Sequence, residues 1–158
     1  MILTTLNVDL IPQVMGLMEH GSPYIRVRME SDYWLYASLF SSTCPVALID
    51  GDVTGAIIAF RSQDNPSDVY VQDVMTHPDH RKKGIARALM TRLRDRANGW
   101  GCDRIYLTSE PDNIAARAAW ESLGFENVAG DYVANGVSVT KDFKGPGKDR
   151  AVYQLQLR

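Results

Sequence analysis

One stretch, Val69 to Asn98, restricts the fold more than any other part of the chain. Val69 to Thr76 reads as a strand. His77-Pro78-Asp79 ends it, because proline disfavours continuation and biases the preceding residue to an extended conformation. Gly84 to Asn98 reads as the best helix in the sequence. Ile85, Leu89, Leu93 and Ala97 recur at spacings of four on one face, and Gly99 terminates it. Between the two lies Arg81-Lys82-Lys83-Gly84-Ile85-Ala86. A strand feeding a small-residue turn that opens a helix is physically an anion site: the first helical turn offers unpaired N–H groups and the positive end of the dipole. Gly84 and Ala86 keep side chains short, so phosphate oxygens can approach the backbone. Arg81, Lys82, Lys83 and Arg87 place positive charge where the dipole disfavours it, which points to a bound anion rather than a solvated basic surface. The combination suits a pyrophosphate. It is neither a Walker loop nor a dinucleotide Gly-x-Gly-x-x-Gly turn. Gly145-Pro146-Gly147-Lys148 is followed by Asp149 and a strand, and reads as a hairpin turn.

Around this unit, strands alternate with helices. Ile2 to Val8 reads as a first strand, and Asp9 can cap a helix running to about His20, stopped by Gly21. Ser31 or Asp32 can cap a second helix, Tyr33 to Phe40, which is rich in aromatics. Val46 to Ile49 and Val53 to Phe60 flank Asp50-Gly51-Asp52, a strong hairpin signal. Further on, Arg104 to Ser109 is a short strand, Asn113 to Leu123 a helix stopped by Gly124, and Phe125 to Ala129 the start of another strand. Asp131 to Lys148 is loop-like, and Ala151 to Leu157 alternates as a last strand. The pattern predicts an α/β (α+β) fold, a mixed and mostly antiparallel twisted sheet flanked by helices, as one domain over residues 1–158.

Composition narrows the function classes. A chain of 158 residues suits one core, and its 45% hydrophobic and 23% charged residues are ordinary for a globular protein. The net charge of −2 supplies no general field toward nucleic acid or membrane, so neither is an expected partner. Cys44 and Cys102 share no metal-ligand spacing and read as free thiols; no metal is expected. The first ten residues lack a signal-peptide pattern, and no run of about 18 apolar residues suggests a membrane span. The cytoplasm is the expected location.

With the phosphate-binding loop in view, the sequence resembles the GNAT superfamily of acetyltransferases. The family's Gln/Arg-x-x-Gly-x-Gly/Ala loop is matched by Arg81, Gly84 and Ala86. The preceding strand-Pro pattern is matched at Val74-Met75-Thr76-His77-Pro78. Downstream, Asn113, Ala115, Ala116, Trp120-Glu121 and Leu123-Gly124-Phe125 resemble the family's Asn-x-x-Ala…Tyr-Glu-x-Leu-Gly-Phe segment. The resemblance covers roughly Val46 to Ala129, and strand order extends it to the ends. It implies acetyl-CoA lying between the strands Val69–Thr76 and Arg104–Ser109, which splay apart in the family. Backbone groups of Val74, Met75 and Thr76 would bond the pantetheine arm and the acetyl carbonyl. N–H groups from Lys82, Lys83, Gly84, Ile85, Ala86 and Arg87 would hold the pyrophosphate. Asn113, which equally suits a helix N-cap, would bond the cofactor arm. The departure is Trp120, where many members carry a tyrosine that protonates the leaving thiolate. Indole can donate a hydrogen bond but no proton at neutral pH, so that role is not carried over. A thiol with a pKa of about 8.5 is already a fair leaving group. Trp120 is expected beside the cofactor or packed in the core.

An amine must lose a proton to attack a thioester, so a base is required. Tyr106, Thr108 and Glu110 share one strand face if alternation holds, and Glu110 is the favoured catalytic carboxylate, acting through water or by binding the amine. On the other strand Tyr70, Gln72 and Val74 alternate onto one face. Tyr70 and Gln72 stand where some family members place a catalytic His or Glu, and suit holding substrate or water. Asp73 falls on the opposite face and reads as structural. The resemblance places the acceptor beneath Arg26–Phe40 and Asp131–Arg150. Glu30, Asp32, Tyr33 and Trp34, with Asp112, are the candidate substrate-binding residues, a mix of carboxylates and flat rings that suits a cationic amine. An aminoglycoside-like antibiotic, a polyamine or an amino acid would fit. A protein or peptide N-terminus, and a non-catalytic acyl-CoA-binding module, are the alternatives. The oligomeric state is open, with a homodimer as one option.

Overall fold

The long apolar run of the central strands requires a sheet covered on both faces. In the computed structural model, which describes residues 1–158, β1 (Ile2–Thr5), β2 (Pro45–Ile49), β3 (Asp52–Arg61) and β4 (Asp68–Thr76) are joined antiparallel in that order. β5 (Arg104–Ser109) lies parallel to β4. A parallel neighbour needs a crossover, and α3 (Ile85–Gly99) supplies it. β9 (Ala151–Gln156) then runs antiparallel between β5 and the short β6 (Glu126–Asn127). The seven-stranded order is β1-β2-β3-β4-β5-β9-β6, mixed and mostly antiparallel as the sequence predicts.

The sheet divides two cores. α1 (Ile11–Met18) and α2 (Glu30–Leu39) bury Val14, Leu17, Met18, Tyr33 and Tyr36 on one face, against Val46, Ala56, Ile58 and Met75. α3 buries Ile85, Leu89, Leu93 and Ala97, the predicted stripe, against Ile57, Val69 and Val71 on the other. α4 (Ile114–Ser122) buries no residue completely, but Trp120 packs against that second core. Ile57 and Ile58, consecutive in β3, enter opposite cores, as the period of two demands. Both cysteines are free and buried, and burial pushes the Cys44 thiol up to about 12.

Local boundaries differ from the expectations where side chains cap or pair in ways that period alone does not show. The first strand stops at Thr5. Asn7, not Asp9, caps the following 3-10 turn, its Oδ1 accepting from the Leu10 N–H at 3.1 Å. α1 ends at Met18, and a 3-10 turn completes the path to Gly21. α2 begins at Glu30, three residues earlier than its aromatic run. Asp32, already inside its first turn, accepts from the Met29 N–H at 3.1 Å. The segment expected to be loop-like contains a hairpin, β7 (Tyr132–Ala134) and β8 (Val137–Val139). Its two-residue turn is Asn135-Gly136, with φ of 52° and 78°, the geometry that Asn-Gly favours. Val137 and Val139 are buried in the α3 core.

Gly55 on β3 sets how closely α3 approaches the sheet. A Cβ there would lie 2.5 Å from Ile85 Cγ2 and 3.1 Å from Leu89 Cδ1, so α3 would have to shift at its start. Gly55→Ala is expected to destabilise the fold by about 1–3 kcal/mol, the ordinary cost of overpacking. A thermal melt checks this; an unchanged midpoint would mean that the start of α3 gives way freely.

Candidate functional site

The end of β4 delivers the chain into a backbone cradle. His77-Pro78-Asp79-His80 makes a single 3-10 turn, with His77 Nδ1 accepting from the Asp79 N–H at 3.1 Å. Lys82 and Gly84 then take positive φ, 63° and 76°, in alternation with residues of negative φ. Backbone of this kind forms anion-binding concavities. The seven consecutive N–H groups from Arg81 to Arg87 donate to no protein acceptor. The first bond of α3 runs from the Ala88 N–H to the Gly84 carbonyl at 3.0 Å. These amides border a cavity of about 280 Å³ between Gly84 and Ala86 on one side and Ala119 and Ser122 of α4 on the other. No carboxylate lines it. Arg87 Nη2 donates to the Ser122 carbonyl at 2.8 Å and fixes the two helices across the cavity. Lys83 Nζ lies 3.3 Å from His80 Nδ1. Small side chains, free amides and surrounding guanidinium and ammonium groups fit a diphosphate. A larger depression of about 420 Å³ lies beside Leu39, Arg61 and Trp100, and its lining holds no carboxylate, thiol or imidazole.

The cradle opens toward a gap in the sheet. β4 and β5 pair only from Asp68–Arg104 to Val71–Leu107. Beyond that point Gln72 to Thr76 and Thr108 to Ser109 have no strand between them, so the backbone edges of Val74, Met75 and Thr76 are open on that side. At the mouth, Asn113 Oδ1 accepts from the Ala116 N–H at 3.3 Å and caps α4, while its Nδ2 has no partner. Trp120 Nε1 donates to Ser109 Oγ at 2.7 Å, and its ring meets Phe125 edge-on at 6.3 Å.

A bulge reorganises the other face of the gap. Ile58 pairs with Asp73 and Ala59 with Val71, so Gln72 is an extra residue in β4. Strict alternation is therefore broken, and the expectation that Tyr70, Gln72 and Val74 share a face, with Asp73 opposite, is corrected. Val74 packs against the α3 core. Gln72 Nε2 donates to the Tyr36 hydroxyl at 3.2 Å, and Asp73 Oδ2 accepts from Arg28 Nη1 at 2.8 Å, both toward α2 and the segment before it. The Asp73 side chain is only 5% exposed. Burial raises its pKa above the ordinary carboxylate value, opposed by the charges of Arg28 and Lys144 and by a hydrogen bond from Gln72. Lys144 Nζ also sits 5.2 Å from the centre of the Tyr70 ring, which packs on Tyr106 at 5.2 Å.

The other sequence candidates are distributed around this cluster. Glu110 lies just past β5, partly exposed, with Arg150 Nη2 at 3.9 Å. The exposed Asp112 accepts from the Tyr24 hydroxyl through its carbonyl at 3.5 Å, and the neighbouring Pro111 carbonyl accepts from Asn135 Nδ2 at 3.0 Å. The chain before α2 and the β7–β8 hairpin thus both grip the loop that carries Glu110. Glu30 and Trp34 face solvent, and Asp32 is engaged at the start of α2. Tyr33 is wholly buried beside Tyr36, its hydroxyl without a partner. The aromatic content of α2 therefore serves mainly the core. Arg28, Ser109 and Lys144 are not singled out by the sequence, where Asp73 reads as structural. Only the bulge and the tertiary fold bring them to the gap.

A family profile described as the acetyltransferase (GNAT) family matches residues 16–125. An L-2,4-diaminobutyric acid acetyltransferase from Nocardia farcinica is 32% identical over 91 residues, which cover 58% of this chain and 47% of that protein. The chain thus matches about half the length of that relative. Among solved structures, the diaminobutyrate acetyltransferase of Paenibacillus lautus, in complex with L-2,4-diaminobutyric acid and coenzyme A, superposes with a TM-score of 0.75 at 23% identity, covering 98% of this chain and 93% of that one. YncA of Salmonella typhimurium, with acetyl-CoA, gives 0.76 at 24% identity over 100% and 94%. At these identities the likeness is one of fold. No helix is long and apolar enough to cross a membrane.

Proposed function

We propose that this chain, which belongs to the acetyltransferase (GNAT) family, transfers the acetyl group of acetyl-CoA to a primary amine of a small molecule. The observation that carries this is the run of unpartnered amides from Arg81 to Arg87, set around two left-handed residues and opening onto the gap between β4 and β5. The cradle holds the diphosphate. The Asn113 carboxamide and the open edges of Val74, Met75 and Thr76 bond the arm that runs into the gap. Acetyl-CoA brings an activated thioester; the protein brings alignment and a path for the proton.

The acceptor enters from the α2 face. Asp73 offers a carboxylate in a low-dielectric position, where attraction to an ammonium is stronger than in water. Tyr70, Tyr106 and Gln72 shape the adjoining wall. Glu110, at the far side of the gap, takes the proton through water. Arg28, Lys144 and Arg150 stand beside these carboxylates, so the wall carries both signs of charge. That favours an acceptor with both an amine and a carboxylate, and the diaminobutyrate acetyltransferase relative supports a diamino acid ahead of an aminoglycoside or a polyamine. Thiol release measured against a panel of diamino acids, polyamines, aminoglycosides and peptides tests the proposal. Turnover is expected with small amines, diamino acids foremost. A protein that binds acetyl-CoA and releases no thiol with any amine would sink it.

A further inference from the structure

The hydrogen bond between Trp120 and Ser109 leaves one proton unaccounted for. Ser109 Oγ accepts the indole N–H at 2.7 Å and makes no other hydrogen bond, although Ser109 is only 8% exposed. With that lone pair used, the hydroxyl hydrogen must point elsewhere, and no protein acceptor receives it. The donated bond also polarises the O–H and makes it a better donor. Ser109 is the last residue of β5, two positions beyond the point where pairing with β4 stops. The proposed cofactor path, from the Arg81–Arg87 amides beside Ala119 into the β4–β5 gap, leads toward this pair: Trp120 follows Ala119 in α4, and Ser109 ends β5 beyond its pairing with β4.

We propose that Ser109 is a catalytic residue that donates its hydroxyl to the leaving sulfur, and that Trp120 is the positioning residue that orients and polarises it. This rests on the acetyl-transfer reading. In the step, the amine nitrogen forms a bond to the thioester carbonyl carbon. The carbon–sulfur bond breaks, its electron pair goes to sulfur, and the nitrogen loses its proton through water to Glu110. Ser109 keeps its own proton and stabilises the sulfur anion by a charge-assisted hydrogen bond. The indole thereby contributes to thiolate departure without supplying a proton.

Three variants test this: Ser109→Ala, Trp120→Phe, which keeps an aromatic ring in the core, and the double variant. Ser109→Ala is expected to lower kcat roughly tenfold or more, the scale of a hydrogen bond to a charged group, with KM for both substrates little changed. Trp120→Phe is expected to lower kcat by about threefold alone and by nothing further in the Ser109→Ala background, the non-additivity of two groups acting as one. A second readout is independent of turnover. The pKa of the thiol of bound coenzyme A, followed by thiolate absorbance, is expected to rise by about one unit in Ser109→Ala. Wild-type kcat and an unshifted thiol pKa in Ser109→Ala would overturn the proposal, as would additive losses in the double variant. If no amine is acetylated by the wild-type protein but the thiol pKa still shifts, the transfer reading falls and the Ser109 donor stands.

Discussion

Gly84→Asp is expected to raise the KM for acetyl-CoA by about 100-fold. Two costs combine at this position. Gly84 has φ of 76°, and a side chain in left-handed backbone costs about 1–2 kcal/mol. A Cβ there meets nothing within 4 Å, so the cost is conformational and not a clash. The aspartate adds a negative charge at the rim of the unpartnered amides, a repulsion of a bound diphosphate of about 1–2 kcal/mol at surface dielectric. Together these give about 3 kcal/mol, or about two powers of ten in affinity. Gly84→Ala isolates the first cost and is expected to weaken binding by about tenfold. Titration calorimetry with coenzyme A and the thiol-release assay both read the difference. Equal effects of alanine and aspartate would mean that no anion sits at residue 84.

The backbone cradle proposed for the donor was legible for a physical reason: it is local. The anion cradle is made by consecutive backbone groups, and the residues that permit it, Gly84 and Ala86, are adjacent in sequence to the charges of Arg81 to Arg87. The stripe Ile85, Leu89, Leu93 and Ala97 and the turn Asp50-Gly51 are local in the same sense. The proposed acceptor wall was not legible because it is assembled at long range. Arg28 meets Asp73 across 45 positions, and Lys144 reaches Tyr70 from the far end of the chain. The bulge at Gln72 reverses the facing of every later residue of β4, and no residue type in Val71-Gln72-Asp73 announces it. Asn135-Gly136 carries a turn signal inside the segment expected to be loop-like. Its flanking strands, three residues each, are too short for their period to be read against a glycine-rich neighbourhood.

Asp73→Asn is expected to lower kcat/KM for the acceptor amine by about 10- to 100-fold and to leave the protein no less stable at neutral pH. The separation follows from the sign of the pKa shift. Burial raises the Asp73 pKa above 3.8 more than Arg28 lowers it, so the folded state binds this proton more tightly than the unfolded chain. Stability from that group is present below the unfolded value and is lost as pH rises through the window between 3.8 and the raised folded value. At neutral pH the ionised carboxylate therefore weighs against the fold, as buried ion pairs often do. Asparagine keeps an acceptor for Arg28 Nη1 and removes the charge, so the pH dependence of the melting temperature flattens across that acid window. The amine loses a charged partner, at about 1.5–3 kcal/mol, which sets the fall in kcat/KM. Arg28→Ala acts oppositely on the fold, because it leaves the carboxylate buried and unpaired. The loss is about 2 kcal/mol at neutral pH, discounted from the full cost of breaking a buried pair because a third of the arginine side chain is exposed. It is recovered in part as pH falls and Asp73 takes up its proton. Melting curves from acid to neutral pH, run beside acceptor kinetics, separate the two variants. An Asp73→Asn protein with wild-type kcat/KM would remove Asp73 from the acceptor site and leave it as a partner of Arg28 alone.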